Sequence, residues 1–233
     1  DCLSSPAAVT AAWRERIRAA LGAGPYLAAA HANWQGDPVL HGFDAAVSWP
    51  PAGARLEPLN AVLGAPAGAV AAINDYRRLV VETALRPCPA YPLLETVLVR
   101  WDDTPARGGA GQVLVHATPE AFEYWLREAI GHARMRLAPD RRIVFLRAWN
   151  DWLRGAHLEA DARCGPQFLQ AIARACAAAR EAPPVVPIAL AAGGGAQPGP
   201  GRPRVSVVVP AYNHERFIAG ALQSVYAQTL ADL

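Results

Sequence analysis

The stretch RRIVFLRAWNDWLRGAHLEAD, residues 141–161, decides the fold, because an apolar run stops abruptly in a cluster of Trp, Asn, Asp, Arg, His and Glu residues. Since the run is apolar throughout rather than alternating, it predicts a strand over 141–150 in a parallel sheet that is covered on its outer face. Residues 166–182, PQFLQAIARACAAAREA, follow with apolar positions at helical spacing and predict a helix. A strand followed by a helix is therefore the unit that we expect the rest of the chain to repeat.

Three more strands and three more helices are predicted upstream. The strands cover 25–34, 42–51 and 91–104, and the helices cover 7–24, 69–85 and 118–137, with a long loop over 50–67. Apolar strands that alternate with helices predict an α/β fold with a parallel sheet. A closed (β/α)8 TIM-like barrel needs about 250 residues, so these units correspond to the C-terminal half of one. An open doubly wound sheet is the alternative, although the sequence has neither the GxGxxG nor the GKS/T phosphate fingerprint.

The composition changes after residue 182. Residues 183–203, PPVVPIALAAGGGAQPGPGRP, contain Pro, Gly and Ala without periodicity and predict a linker. Residues 204–233 then read as a buried strand, a short polar turn and a helix, which predict the start of a second, Rossmann-like domain. The predicted organisation is one domain over 1–182, the linker, and a domain fragment. Because the chain begins at Asp1 rather than Met, we expect it to be a piece of a longer protein.

The composition argues against several classes of function. A net charge of +2 over 233 residues is too close to neutral to indicate a nucleic-acid partner or a charged membrane surface. The four cysteines have no CxxC or Cys/His spacing, so we expect reduced thiols in a cytosolic protein rather than a zinc site or a disulfide framework. The sequence contains no apolar run as long as a membrane span and no signal-peptide pattern.

Polar and aromatic side chains follow all four predicted strands, where the carboxyl ends of parallel strands place a ligand site. In chain order they are His31, Asn33 and Trp34; Ser48 and Trp49; Trp101, Asp102, Asp103 and Arg107; and Trp149, Asn150, Asp151, Trp152 and Arg154. An indole covers the apolar C–H face of a pyranose, while carboxylates and amides bind its hydroxyls, so the set predicts a sugar site. The alternative is that the tryptophans fill the core at the barrel mouth.

The adjacent aspartates Asp102 and Asp103 need a separate interpretation. On an extended segment they point in opposite directions, so both cannot enter one site. One of them could bind a substrate hydroxyl or Arg107, and the other could cap a helix or be solvated. A structural Asp–Arg clamp and direct ligand contact are both left open. Asp44 lies near the start of its strand, at the opposite end from the predicted site, and is predicted to be structural.

Three motifs in order resemble the WbsX-type family of polysaccharide-biosynthesis glycosyltransferases, which is related to glycoside hydrolases that include endo-α-mannosidase. The motifs are GFDAAVSWPP (42–51), VLVRWDDTPARGG (97–109) and AWNDWLRGAHLEAD (148–161). The resemblance covers residues 8–180 and implies a glycoside hydrolase family 99-like (β/α)8 barrel. It also implies a sugar substrate from surface-polysaccharide assembly in the bacterial cytoplasm or at the inner membrane.

The last motif departs from the family pattern A-W-N-E-W-x-E-G-x-x-L-E-P-D, whose two glutamates form the catalytic pair in the hydrolase relatives. Asp151 and Arg154 occupy those positions here. Asp151 could act as a base, but its carboxylate is one methylene shorter, and arginine cannot give and retake a proton near neutrality. Arg154 could pair with Asp151 or bind an anionic group. Glu159 and Asp161 are candidate substitutes, and Asn150 and His157 match the family pattern.

The C-terminal residues resemble a second family. VSVVVPAYNHERFIAGALQSVYAQT, residues 205–229, is similar to the opening of family 2 glycosyltransferases with the GT-A fold. The resemblance implies that Pro210, Ala211, Tyr212 and Asn213 lie beside the nucleotide of a sugar donor such as a UDP-sugar, at a helix N-terminus that suits an anion. The D-x-D motif that would bind Mg or Mn in a full GT-A domain is absent from these residues, so no metal or cofactor is predicted in the chain itself.

Three functions remain open from the sequence. The leading one is a fragment of a multidomain glycosyltransferase that makes O-antigen or capsule-type polysaccharide, with a nucleotide-sugar donor and a saccharide or lipid-linked glycan acceptor. The second is a non-catalytic glycan-binding module that presents the acceptor. The third is a glycosidase, which the loss of the second carboxylate disfavours.

Overall fold

The computed structural model describes residues 5–32, 36–65 and 71–182, which all fall within a compact unit spanning Asp1–Leu190. In chain order its helices and strands are α1 (Pro6–Leu21), β1 (Ala28–His31), β2 (Ala45–Ser48), β3 (Ala72–Asp75), α2 (Tyr76–Leu85), β4 (Leu93–Leu94), β5 (Thr96–Leu98), β6 (Trp101–Asp102), α3 (Thr104–Arg107), β7 (Gln112–Val115), α4 (Pro119–Arg136), β8 (Phe145–Arg147), β9 (Asn150–Asp151), β10 (Ala156–His157) and α5 (Gln167–Glu181). The predicted linker and second domain lie outside the described residues and stay predictions.

The four predicted strands lie side by side in chain order, and the pairings between them are parallel. Strand β1 pairs with β2, and β2 pairs with β4. Only Glu95 separates β4 from β5, which pairs with β8 so that Leu98 lies opposite Arg147. This arrangement confirms the α/β class and the parallel strands, and it is the order expected of successive β/α units. Closure into a barrel stays a prediction.

The predicted helix over 69–85 is wrong in its first half. Residues Ala72–Asp75 form β3, and the helix α2 begins only at Tyr76. Two long-range contacts explain the difference. Strand β3 pairs in parallel with β7, a strand that the sequence did not predict, and β7 pairs antiparallel with β6. Asp75 then caps α2, because its Oδ1 accepts a hydrogen bond from Arg77 N at 2.9 Å.

The other three helices form close to their predicted bounds. Thr118 caps α4, as its sequence position predicts, by accepting a hydrogen bond from Ala121 N at 3.3 Å. Helix α4 packs on β5 and on helices α2 and α5 in the larger core, where Trp125 is 1% exposed and Phe122 is fully buried. Tyr76 donates a hydrogen bond from its hydroxyl to Leu98 O at 2.6 Å, which ties α2 to the end of β5. This packing fixes the strand ends relative to the helix layer.

The start of β2 is held by Asp44, as expected for a structural carboxylate. Its Oδ2 accepts hydrogen bonds from Leu27 N at 2.7 Å and from Arg14 Nη2 at 2.8 Å. The contact joins α1 to the sheet at the end opposite the predicted site. Most of α1 is exposed otherwise, including Trp13 at 38%.

Candidate functional site

Three strand ends meet at a cluster that consists of Trp49, Trp101 and Arg147, which we call the strand-end cluster. Trp49 follows β2, Trp101 follows β5 by three residues, and Arg147 ends β8. The guanidinium carbon of Arg147 lies 4.8 Å from the ring centroid of Trp49 and 4.6 Å from that of Trp101. Cis peptide bonds at Pro50–Pro51 and Arg147–Ala148 adjoin the cluster. Two predicted tryptophans thus come together on an arginine that the sequence analysis did not select.

Arg147 is half-buried and has one hydrogen bond to a protein carbonyl, from Nη1 to Pro50 O at 2.6 Å. Among the described residues no carboxylate lies within 4.0 Å of its guanidinium. Burial lowers the pKa of Arg147 to about 10, although the Asp151 charge opposes that shift and the Arg154 charge adds to it. The sequence does contain a signal for Arg147, because it is the charged residue that ends the apolar run VFLR. A charge at a buried strand end needs a partner.

Asp151 and Arg154 are paired with each other, as one of the sequence interpretations allowed. Arg154 Nη1 lies 3.2 Å from Asp151 Oδ2 across a short 3-10 turn over Trp152–Arg154. Gly155 ends the turn at φ 59, a left-handed conformation that favours glycine. A Cβ at Gly155 would lie 3.5 Å from Asp102, so the turn packs directly on β6. The two positions that the sequence resemblance matches to the catalytic pair therefore form an ion pair here.

Trp149 and Trp152 are the exposed tryptophans of this region, at 56% and 51%. One face of the Trp152 indole stacks on His157, with ring centroids 3.7 Å apart and an interplanar angle of 16°. Its Nε1 donates to Glu159 Oε2 at 2.5 Å, which holds the ring in place and occupies that carboxylate. Both indoles therefore keep about half of their surface exposed. Trp101, by contrast, is 7% exposed and belongs to the hydrophobic core, so its indole faces Arg147 rather than solvent.

His157 is buried beneath Trp152 and belongs to a charged network with Arg100 and Asp161. Arg100 Nη2 lies 2.6 Å from both Asp161 Oδ2 and His157 Nε2, and the latter two atoms are 3.0 Å apart. Asp161 Oδ1 also accepts hydrogen bonds from the N–H groups of Arg163 and Cys164, at 3.0 and 2.6 Å. The bond from Cys164 N, with those from Arg100 and His157, holds the pKa of Asp161 well below its usual range. Asp161 is therefore a permanent anion that braces the loop.

Asp102 and Asp103 both close the loop that leads from β6 to β7. Asp102 Oδ1 accepts hydrogen bonds from Thr104 N and Oγ1, at 3.0 and 2.6 Å. Asp103 is 4% exposed, its Oδ1 accepts a hydrogen bond from Gln112 N at 2.5 Å, and its Oδ2 lies 3.7 Å from Arg107 Nη1. The Asp–Arg clamp that the sequence left open is thus the contact formed by Asp103 and Arg107.

A cavity of about 610 Å³ lies beside the strand-end cluster. It is lined by His31, Ser48 and Trp49 at the strand ends, by Thr96, and by Leu79, Glu82 and Arg86 around α2, among others. Of the residues predicted at the strand ends, His31, Ser48 and Trp49 line this cavity. Burial lowers the pKa of His31, whose Nε2 lies 3.2 Å from Gly36 O. The volume falls within the range of about 300–1,000 Å³ that is usual for ligand sites.

The charges beside this cavity centre on the buried carboxylate of Glu95. Its Oε2 accepts a hydrogen bond from Ser48 Oγ at 3.3 Å and lies 3.3 Å from Arg86 Nη2. Its Oε1 lies 3.9 Å from His132 Nδ1, and this carboxylate raises the pKa of His132. Glu95 thus links β4 and β5 to both α2 and α4.

The remaining predicted residues are placed as follows. Asn150 is exposed on β9 and pairs in the backbone register with His157 on β10. Trp34, Pro210, Ala211, Tyr212 and Asn213 lie outside the described residues. Searching the described part of the chain, we find no group of three or more His, Cys, Asp or Glu side chains that could hold a metal ion. No helix within that part is long and apolar enough to cross a membrane.

Comparisons with known proteins bear on this arrangement. A protein named "Uncharacterized protein WxcX" from two strains of Xanthomonas campestris pv. campestris is 33% identical over 180 residues, which are 74% of this chain and 25% of the relative. The chain thus spans about a quarter of the length of the curated relatives that it matches. A solved "Glycoside hydrolase-like protein" is 14% identical, with a TM-score of 0.48 over 74% of this chain and 50% of that one. The family model described as "Glycosyltransferase WbsX" matches residues 1–172, and the chain therefore belongs to the WbsX glycosyltransferase family.

Proposed function

We propose that the chain is part of a glycosyltransferase that makes cell-surface polysaccharide of the O-antigen or capsule type. Within it, residues 1–182 bind a saccharide, such as a lipid-linked acceptor, at the ends of the parallel strands. Membership of the WbsX glycosyltransferase family supports the reaction class. The strand-end indoles and the adjoining cavity support the class of ligand.

The proposal rests on two tryptophans at strand ends: Trp149 follows β8, and Trp152 follows β9. Both indoles are about half exposed, and Trp152 is fixed by His157 and Glu159 before any ligand arrives. A fixed indole binds the apolar face of a sugar at little entropic cost, because the ring is already ordered. Nearby Asn150 offers an exposed amide that suits the hydroxyls of the same sugar.

Binding is favoured over glycosidic-bond cleavage because the carboxylates of the region already have partners. Glycoside hydrolysis needs two carboxyl groups, one of which donates a proton to the leaving oxygen. The Asp151 carboxylate is paired with Arg154, and Glu159 holds Trp152. Asp161 is anchored by backbone N–H groups and by Arg100. These contacts favour the glycan-binding interpretation of this domain over the glycosidase.

The transfer itself is assigned in this proposal to a nucleotide-sugar donor bound by a GT-A domain that begins at residue 204. Pro210, Ala211, Tyr212 and Asn213 would then adjoin the nucleotide, and the D-x-D motif of the complete domain would bind Mg or Mn. The half barrel would be completed by further β/α units of the whole protein. We propose that the whole protein acts on the cytoplasmic side of the bacterial inner membrane.

The test is saccharide binding by the 233-residue chain, measured by isothermal titration calorimetry with oligosaccharides prepared from bacterial surface polysaccharide. Trp149→Ala should weaken binding by roughly tenfold, as expected for the loss of about 1.4 kcal/mol of stacking. Trp13→Ala is the matched control, since Trp13 is also exposed but lies on α1. Equal affinities of wild type and Trp149→Ala would argue against the proposed site.

A second experiment separates a binding site from a catalytic one. Asp151→Ala in the whole protein should leave turnover at saturating acceptor close to that of wild type, because the Asp151 carboxylate is paired with Arg154. If Asp151 were the catalytic base, turnover would instead collapse with little change in affinity. The assay follows transfer from a panel of nucleotide sugars to lipid-linked acceptors. Absence of any product from the wild-type protein across this panel would contradict the transferase assignment.

A further inference from the structure

We propose that the saccharide bound at the strand ends is anionic, and that the guanidinium of Arg147 binds its carboxylate or phosphate group. This inference rests on the proposed saccharide-binding function and adds the chemical class of the ligand. It concerns a residue outside the set that the sequence motifs selected.

Two indoles and one backbone carbonyl hold Arg147 in place. The indoles of Trp49 and Trp101 lie 4.8 and 4.6 Å from the guanidinium carbon, so the side chain is held among aromatic rings. A guanidinium has five N–H donors, all of which point outward from the edge of its plane. One hydrogen bond, from Nη1 to Pro50 O, holds it to the protein at 2.6 Å. The remaining donor edge has the planar geometry that matches a carboxylate or a phosphate.

The charge of Arg147 is not neutralised by the described part of the protein. No carboxylate from these ranges lies within 4.0 Å of the guanidinium. Asp151 is near enough to oppose the lowering of the Arg147 pKa, but its carboxylate is engaged by Arg154 at 3.2 Å. The two charges that act on Arg147, those of Asp151 and Arg154, are opposite in sign and paired with each other, so they do not neutralise it. Half-burying a cation without a counter-ion is unfavourable, and an anionic ligand would remove that cost.

A purely structural role is the competing explanation. Arg147 could simply join β2, β5 and β8 through its contacts with the two indoles. Such a contact would require only the cation and the aromatic faces, and it would make no distinction between charged and neutral saccharides. An anion receptor, in contrast, makes affinity depend on the charge of the ligand and on salt concentration. Comparing ligands that differ only in charge therefore distinguishes the two roles.

The experiment titrates the 233-residue chain with three glycans of equal length: one neutral, one containing glucuronate, and one carrying a terminal phosphate. Wild type should bind at least one anionic glycan roughly tenfold more tightly than the neutral one, as expected of a charge-assisted hydrogen bond. Preference for glucuronate or for phosphate identifies the anionic group. Arg147→Met, which keeps an unbranched apolar stem, should abolish the preference without weakening the binding of the neutral glycan.

Arg16→Met is the matched control, because it makes the same change in net charge on exposed α1 and should keep the anionic preference. A second measurement needs no variant at the site. It follows the modification of Arg147 by phenylglyoxal in wild type, detected by mass spectrometry. The anionic glycan should slow this modification, and the neutral glycan should not. Equal affinity of wild type for charged and neutral glycans, or an anionic preference that survives Arg147→Met, would overturn the inference while leaving saccharide binding intact. Failure of all three glycans to bind would overturn the proposed function as well.

Discussion

Replacing Asp161 by alanine should destabilise the protein far more than removing a surface carboxylate. Asp161 is 12% exposed in its side chain and accepts hydrogen bonds from two backbone N–H groups and from Arg100. Without it, the Arg100 guanidinium, 15% exposed, loses its carboxylate partner. Removing one partner of such a pair costs about 3–5 kcal/mol, because it leaves an uncompensated buried charge.

The expected loss converts to a fall in Tm of about 6–20 °C for a chain of this size. Asp161→Asn should cost less, since an amide oxygen still accepts the hydrogen bonds from Arg163 N and Cys164 N. Urea unfolding monitored by circular dichroism gives the free energy and its slope for each variant. Glu57→Ala is the control: its pair with Arg78, at 3.6 Å, is largely exposed and should contribute less than about 1 kcal/mol. A loss for Asp161→Ala no larger than that of Glu57→Ala would show that this network does not brace the loop.

Three further predictions concern the frame of the site. Hydrogen bonds from Arg77 lower the pKa of Asp75 from 3.8 to about 2. The stability that Asp75 contributes is therefore present above about pH 4 and lost as the pH falls towards 2. Asp75→Asn should flatten that part of the curve of unfolding free energy against pH, measured by urea unfolding. Glu95 raises the pKa of His132 above 6.5. The stability that this pair contributes is therefore present at low pH and lost as the pH rises through the pKa of His132 in the folded protein. Glu95→Gln should lower the His132 pKa measured by NMR. Trp125→Ala, at a side chain 1% exposed, should lower the free energy of unfolding by about 3–5 kcal/mol in urea titrations.

The sequence predicted the parallel strands well because each is a short apolar run with no competing interpretation. It failed at Ala72–Asp75, where the end of an alanine-rich segment fits a helix as well as a strand. Pairing with β7, which lies far along the chain, decides between the two. Short strands such as β6 and β7 have too few residues to show a period, so only the three-dimensional pairing defines them.

The candidate site shows the same division between local and long-range information. The Asp151–Arg154 pair and an Asp–Arg clamp were among the alternatives that the sequence left open, since both contacts lie within four positions along the chain. Arg147 could not be assigned in this way. Its importance depends on indoles from two other strands and on the absence of a nearby carboxylate within the described ranges.

The exposure of each tryptophan could likewise not be predicted from the sequence. Trp101 and Trp149 occupy similar positions after apolar strands, yet the first is 7% exposed and the second 56%. The difference arises because Trp101 is covered by Arg147 and by the core, whereas Trp149 lies on the solvent side of the loop. Because both residues are tryptophans, residue type alone predicts the same degree of burial for each.

The most direct measurement is an NMR titration of the indole N–H signals in the ¹⁵N-labelled chain, assigned by single Trp→Phe variants, as a surface-polysaccharide oligosaccharide is added. Saccharide binding at the strand ends predicts that the signals of Trp49, Trp149 and Trp152 move with one common affinity. The signals of Trp13 on α1 and of the buried Trp125 should stay in place. Movement of the Trp13 signal while the three strand-end indoles remain unchanged would contradict the proposed site.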